Sequence, residues 1–542
     1  MLYWLNKHIS LSIFILSVIG FATFSLILGQ DANWDIRNYH YYNAYALFNN
    51  RLAYDIAPAQ LQTFFNPALD LLPYLLIQNF PPFIFSLAMG AWHGLNAWLL
   101  FLIGRELLVR LSFPNPIIWA VVCAIVGVTG GVTLSEVGTT LHDLTLSVFI
   151  LGSVYLYLRA CSCQNPIIQD PSLKYLSASG FLLGLSAGLK LSFAIYVVGM
   201  GMAVFVVQFA ILRQYKAFLV FVLSTTIALL CAAGPWMWVL WKQYGNPFFP
   251  MYNALFLSPY YLPENFVDAR FFPKSLADAL FFPLNFNMEK HAGCEIQFRD
   301  FRIATLYIAS VLGVAYALVS TILQRCVAPE AYGKKNDFLV LWMSVFIWMS
   351  YIVWLKMFSI YRYLICIELL VPIALACIAS AFKNHPKIMQ SVLATIFLLI
   401  VIFTKPPEWG RFHAENNGFF GVRIPAINWS RNAVVLMPLD SPQSFVVPSF
   451  PDFVRFVRVG GNFIHPTDNT ALTERIRSVM AESVDNLYLM TDPPAIGEGL
   501  VLVNKYLKHH EVKINQCWPV TNKFDPISLC SLTALKKGEP AK

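Results

Sequence analysis

The sequence predicts a mainly α-helical, polytopic transmembrane bundle followed by a small C-terminal α/β domain. Three observations predict this. The 542-residue chain is 57% hydrophobic and only 13% charged, with a mean hydropathy of +0.58, whereas soluble domains average about 25% charged. Apolar runs close to the roughly 20 residues that a helix needs to cross a bilayer recur between residues 9 and 404. After residue 404 the composition changes to charged residues and short β-like runs.

The first run, Ile9–Leu28, is longer than a signal-peptide core and carries no clear small-x-small cleavage site. It reads as a retained first helix. Further spans are expected over 83–104, 116–134, 143–159, 175–190, 192–212, 217–240, 303–324, 338–355, 360–381 and 388–404, about 11 in all, with 175–190 the shortest and weakest. The stretch 62–80 is apolar but broken by Asn66-Pro67, Asp70 and Pro73, so interfacial helices are expected there.

Basic residues orient the spans. With the N-terminus in the cytoplasm, the connections on that side carry Arg105 and Arg110, Arg159 and Lys174, Arg213 and Lys216, Arg325 with Lys334 and Lys335, and Lys383 and Lys387. The short connections on the other side carry Glu136, Lys190, Lys356 and Arg362. The net charge of +8 is spread over helix ends rather than gathered in one patch, so nucleic acid is not expected as a partner. This topology makes residues 1–404 a membrane module. Its first outer loop is 30–82, its second 135–143, and a long outer loop covers 241–302. Residues 405–542 become an extracytoplasmic domain. The reading favours a bacterial inner membrane.

Within 405–542, Ala433–Met437, Ser444–Val447 and Asn486–Met490 read as strands, and 470–482 and 498–509 as helices. Cys517 and Cys530 lie in this part, where an oxidising compartment permits a disulfide. Cys123, Cys231, Cys366 and Cys377 fall in apolar runs and read as core residues. No Cys/His spacing suggests zinc.

The candidate chemistry gathers on the outer side. Directly after the first span comes Asp31-Ala-Asn-Trp-Asp35-Ile-Arg37-Asn-Tyr39-His40-Tyr-Tyr42. A carboxylate such as Asp35, flanked by aromatics, can serve as a general base toward a hydroxyl. It can also bind a metal or a sugar hydroxyl, or cap a helix over Ile36–Asn49. Asp31, nearer the span, can simply mark the interface. Arg37, Tyr39, His40 and Tyr42 share that helix and are candidate substrate contacts, although aromatics also anchor chains among headgroups.

Asp143 opens a hydrophobic helix, where an ionisable residue is a functional candidate or an N-cap helped by the helix dipole. Lys190 ends Gly184-Leu-Ser-Ala-Gly188-Leu-Lys190 at a tight outer hairpin. The glycines permit close helix packing, and the ammonium can bind a lipid phosphate or snorkel. Tyr361-Arg362-Tyr363 opens a late span, and a guanidinium fork suits phosphate oxygens. Glu368, inside that span, must be paired or face a polar cavity. Gly234-Pro-Trp236 and Gly245-Asn246-Pro247 demand fixed turns. No Walker, GxGxxG, GxSxG or HExxH motif stands in a convincing context.

These residues together resemble the membrane-embedded glycosyltransferases of the GT-C superfamily, the class that contains protein O-mannosyltransferases and aminoarabinose transferases. Asp35-Ile-Arg-Asn-Tyr39 looks like the acidic motif of that family's first outer loop, and Phe65-Asn66-Pro67 like the Pro-containing segment after it. Asp143 matches the acid of the second outer loop. Gly188-Leu-Lys190 resembles the small-residue and Lys element of the middle hairpin, and Tyr361-Arg362-Tyr363 a late Arg site for the donor phosphate.

The resemblance implies a sugar carried on a polyprenyl phosphate as donor and a glycan, lipid or protein acceptor. Arg362, Lys190 and Tyr361 would bind the phosphate side, Asp35 would be the general base with Asp143 beside it in the catalytic set, and the anomeric carbon would invert. Many relatives have adjacent Asp-Glu in the first loop, whereas Ile36 follows Asp35. A divalent metal is therefore doubtful, and no cofactor is expected. The rival readings are a transporter or flippase of lipid-linked saccharides and a non-catalytic envelope assembly protein. Polar residues at the outer edge, with no internal repeat, speak against a transporter.

Overall fold

The computed structural model describes residues 2–162, 171–288, 293–327, 337–412 and 418–536. Lys334 and Lys335 of the expected basic connection lie outside the described residues. Among the described residues, eight helices are long and apolar enough to cross a membrane: His8–Leu28, Pro82–Arg110, Asp143–Cys161, Leu191–Ile211, Tyr215–Tyr244, Phe338–Met357, Tyr361–Phe382 and Pro386–Phe403. They coincide with eight of the expected spans. The other three expectations fall on the shorter apolar helices Pro116–Val128, Leu173–Leu189 and Arg302–Tyr316.

The first helix shows why lipid is needed. Leu16 and Ile27 are 71% and 72% exposed, and only 6% of its span is buried in the protein. A helix with that much outward apolar surface belongs in a bilayer rather than in water, and the chain is an integral membrane protein. The stretch 62–80 holds only short helices, Gln60–Phe64, Pro67–Asp70 and Leu71–Asn79.

The chain divides into two compact units. The first comprises Met1–Leu28, Leu87–Ala233 and Asp268–Trp409. Its centre is the helix Ile365–Ala379, apolar apart from Glu368 and buried without interruption from Ile365 to Cys377, as a core helix must be. Helices Pro116–Val128, Arg302–Val327, Asp337–Met357 and Asp143–Ser162 surround it. Helix Leu173–Leu189 lies close against Tyr215–Tyr244. A Cβ at Gly184 would fall 2.0 Å from the Thr225 carbonyl oxygen, and one at Gly188 would fall 2.7 Å from that of Leu229.

The second unit comprises Gly29–Ser86, Gly234–Val267 and Gly410–Lys542. A two-residue strand β1 (Gln30–Asp31) pairs antiparallel with β2 (Arg411–Phe412). The main sheet contains β3 (Val434–Met437), β4 (Arg455–Arg458), β5 (Leu487–Thr491), β6 (His510–Val520) and β7 (Ile527–Lys536), in the order β4-β3-β5-β7-β6. β3 runs parallel to β4 and β5, and β7 is antiparallel to β5 and β6. Helices Ala471–Glu482 and Ile496–Tyr506 bury Ile476, Met480 and Val503 in its core.

Residues far upstream complete this unit. The Ile56 amide donates to the Phe456 carbonyl at 2.9 Å, and the Arg458 amide donates to the Ile56 carbonyl at 2.9 Å, so Ile56 extends the sheet beside β4. Arg51 and Asp55 form a buried ion pair at 2.7 Å, and Asp55 accepts the Phe456 amide at 2.9 Å.

One expected strand is corrected. Ser444–Val447 lies in a 3-10 helix, Ser444–Ser449. Pro448 within it has no N–H for a ladder, and Val446 and Val447 are buried by local winding instead. Cys517 and Cys530 are disulfide-bonded across the antiparallel pair β6 and β7.

Candidate functional site

In the first unit the site begins with a broken helix. The expected span 116–134 stops at Val128, and a short helix, Gly131–Glu136, starts afresh. Such a break leaves carbonyls and amides without helical partners, and three buried charged side chains supply them. Arg302 donates to the Val126 carbonyl at 2.7 Å and to the Thr129 hydroxyl at 2.9 Å. Asp300, ion-paired with Arg302 at 2.6 Å, accepts the Gly131 amide at 2.9 Å. Glu368 accepts the Thr133 amide at 2.9 Å and its hydroxyl at 2.7 Å. Gly130 and Glu368 approach closely: a Cβ at 130 would fall 1.9 Å from a Glu368 carboxylate oxygen.

The short helix delivers Glu136. Its Oε2 accepts the Leu144 amide at 2.9 Å, so Glu136 caps the helix that Asp143 opens. The Asp143 carboxylate instead meets cations. Lys190 Nζ lies 2.5 Å from its Oδ1, and Arg362 Nε lies 3.9 Å from its Oδ2. Asp143 is fully buried, while the Lys190 and Arg362 side chains remain 18% and 13% exposed.

Lys190 follows helix Leu173–Leu189 in extended backbone and also donates to the Leu141 carbonyl at 2.9 Å. Arg362 sits in the turn Tyr361–Leu364. The Tyr196 hydroxyl steadies that turn. It donates to the Tyr363 carbonyl at 2.6 Å and accepts the Cys366 amide at 3.2 Å. Both cations lie 5.4 Å from the centre of the Tyr363 ring, and Arg362 lies 5.9 Å from that of Trp409, within reach of cation–π attraction. Tyr361 is a core residue, packed between Phe286 and Phe298 with ring centres 4.7 Å and 4.4 Å away.

Burial pushes the Glu136 carboxyl well above its ordinary range, and the charge of Asp143 pushes it further. Lys190 and Arg362 lie against Asp143, and the Glu136 carboxyl beside them keeps its proton to a higher pH than an ordinary glutamate.

In the second unit the first-loop cluster is also built locally. The Asn33 side chain accepts the Ile36 amide at 2.9 Å and caps the following helix. Asp31 holds Asn33, accepting its side-chain amide at 2.7 Å and its backbone amide at 3.1 Å. Asp35 makes no capping bond. It is 8% exposed and accepts the Tyr39 hydroxyl at 3.1 Å. The turn Ile36–His40 is π-helical, a bulge found often at functional sites. His40 Nδ1 lies 2.6 Å from Asp70 Oδ1. Arg37 pairs with Asp525 and stands 5.5 Å over the Phe524 ring. Tyr42 donates to Asp55 at 2.8 Å and is wholly buried.

The structure thus brings Asp143, Lys190 and Arg362 together in the first unit and Asp35, Tyr39, His40 and Arg37 onto one helix in the second. Sequence reasoning passed over Glu136, Asp300 and Arg302 as site-builders. The available signals were two acids flanking one loop, Glu136 and Asp143, and the pair Asp300-Phe-Arg302 opening an apolar helix.

The arrangement defines an integral membrane protein with two cations gathered around one buried carboxylate. No protein-family model and no curated protein matches the chain. Among solved structures it is similar to the archaeal oligosaccharyltransferase AglB from Archaeoglobus fulgidus in complex with an inhibitory peptide and a dolichol-phosphate. That alignment has 12% identity over 93% of this chain and 71% of that one, with a TM-score of 0.45. The Archaeoglobus fulgidus oligosaccharyltransferase tethered with an acceptor peptide aligns at 11% identity over 96% of this chain and 74% of that one, with a TM-score of 0.44. ArnT from Cupriavidus metallidurans bound to undecaprenyl phosphate aligns at 11% identity over 97% of both chains, with a TM-score of 0.41.

Proposed function

We propose that the chain is a membrane glycosyltransferase of the GT-C type that moves a sugar from a polyprenyl-phosphate donor to an acceptor hydroxyl on the extracytoplasmic face. The observation that carries this reading is the pairing of Lys190 and Arg362 around buried Asp143. Two cations sharing one carboxylate suit a phosphate that must first bind and then leave with more negative charge.

The roles divide as follows. Lys190 and Arg362 bind the donor phosphate and stabilise it as leaving group. Asp143, a member of the expected catalytic set, positions the two cations through its ion pairs. Asp35 takes the proton of the acceptor hydroxyl, and the Tyr39 hydroxyl orients its carboxylate. The acceptor oxygen bonds to the anomeric carbon as the bond from that carbon to the phosphate oxygen breaks. Attack opposite the leaving group inverts the centre and releases polyprenyl phosphate.

The test uses the full-length protein in lipid vesicles supplied with polyprenyl-phosphate sugars. Asp35→Asn should lower transfer about 10²–10⁴-fold, the usual share of a general base, while the protein still folds and binds donor. Undiminished transfer by that variant removes Asp35 from the role.

A further inference from the structure

We infer that the acceptor is a saccharide, received on a shelf of side-chain amides beside Asp35. Gln62 and Asn462 form the shelf, buried Asn38 supports it from beneath, and the Phe65 ring forms its apolar edge. This builds on the reading of Asp35 as the base and goes beyond it by naming the acceptor class.

The shelf is on the base's own helix. Asn38 lies three residues after Asp35 on the same helix. Asn38 is fully buried, and its amide nitrogen donates to the Ala59 carbonyl at 3.2 Å and to Gln62 Oε1 at 3.4 Å. Among the described residues its own side-chain oxygen has no hydrogen-bond partner, which is uncommon for a buried polar atom. Gln62 Oε1 receives a second donor, the Asn462 side-chain amide, at 3.2 Å. Asn462 is fixed in turn by accepting the Leu61 amide at 3.2 Å and by donating its backbone amide to Gln60 Oε1 at 3.0 Å. The loop bearing it approaches so closely that a Cβ at Gly461, where φ is +108°, would fall 2.7 Å from Gln60 Oε1.

Three features point to a sugar. A carboxamide offers donor and acceptor in one plane, matching hydroxyls that both give and take hydrogen bonds. Gln62 and Asn462 are half-buried, so their amides are fixed yet reachable. Phe65 is 36% exposed and is held edge-on against the Tyr39 ring at 5.6 Å, while Tyr39 donates to Asp35. An apolar ring beside fixed amides suits the C–H face and hydroxyl rim of a pyranose. No side chain of this shelf carries a charge, as recognition of a peptide terminus or a phospholipid headgroup would demand.

Equilibrium binding to the full-length protein in detergent micelles tests this, read by saturation-transfer NMR and titration calorimetry without donor. The probes are chitotetraose, maltotetraose and mannotetraose, set against a Ser/Thr-containing decapeptide and a monoacylglycerol. At least one tetrasaccharide should bind saturably, and Gln62→Leu and Phe65→Ala should each weaken it tenfold or more. Phe65 is an exposed ring, so its truncation keeps the test valid if Gln62→Leu fails to fold. No tetrasaccharide binding, binding unmoved by Phe65→Ala, or saturable binding of the decapeptide or monoacylglycerol alone overturns the inference. Because no turnover is read, a failed Asp35 assignment leaves this result standing, and a failed shelf leaves the Asp35→Asn result standing.

Discussion

Lys190 Nζ lies 2.5 Å from an oxygen of Asp143, a carboxylate with no exposed surface, while the ammonium itself keeps 18% of its side chain open. The buried acid therefore holds a cation that still reaches outward. Removing the acid and removing the cation should have different consequences. Lys190→Met and Arg362→Met should each reduce sugar transfer roughly 10²–10³-fold, as expected for loss of a donor to developing charge. Asp143→Asn should leave the cations present but poorly placed, raising KM for the donor more than it lowers kcat. Transfer assays with saturating and limiting donor separate the two patterns.

Glu136 gives a pH signature. Its folded-state pKa is raised above the ordinary 4.5 by burial and by Asp143. Its contribution to stability is therefore complete below about pH 4.5 and is lost as the pH rises through the elevated folded value. Glu136→Gln cannot ionise, and its side-chain oxygen can still accept the Leu144 amide. Melting temperatures in detergent should match wild type at acid pH and exceed it increasingly toward alkaline pH.

The Asp300–Arg302 pair is fully buried and spans the gap between two helix ends. Arg302→Met strands the Asp300 charge and uncaps Val126. A loss of about 3–5 kcal/mol is expected for breaking such a pair from one side. Thermal unfolding of the purified variant, or its failure to accumulate in membranes, checks this.

Sidedness can be read from native cysteines. Cys517 and Cys530 are joined in the second unit. In intact cells, a membrane-impermeant maleimide should label them only after an impermeant reductant is added. Labelling that requires permeabilisation overturns the extracytoplasmic assignment.

Much of the membrane unit was legible, because a span must be apolar for its whole length and eight of the expected runs are long helices. The break after Val128 was not. Thr129-Gly130-Gly131 hints at it, but what makes it tolerable is capping by Asp300, Arg302 and Glu368, more than 160 residues away in the sequence. Asp35 was legible as a candidate. Its release from capping duty rests on Asn33, a neighbour whose amide looked incidental. The hairpin β6–β7 escaped notice because its outer strand carries charged and polar residues such as Glu511, Lys513 and Gln516 and gives little apolar alternation. The three-part make-up of the second unit was invisible, since its closing bonds join residues about 400 apart.

That last feature sets a timetable for biosynthesis. Ile56 waits for Phe456 and Arg458, and Arg51 waits for residues beyond 450. The first outer loop leaves the ribosome early, yet its partners arrive only near the end of translation. The bonds of Ile56 and Arg51 therefore stay unmade through most of synthesis. A polypeptide cut short before β4 would possess all eight of the long apolar helices and still lack an assembled outer unit.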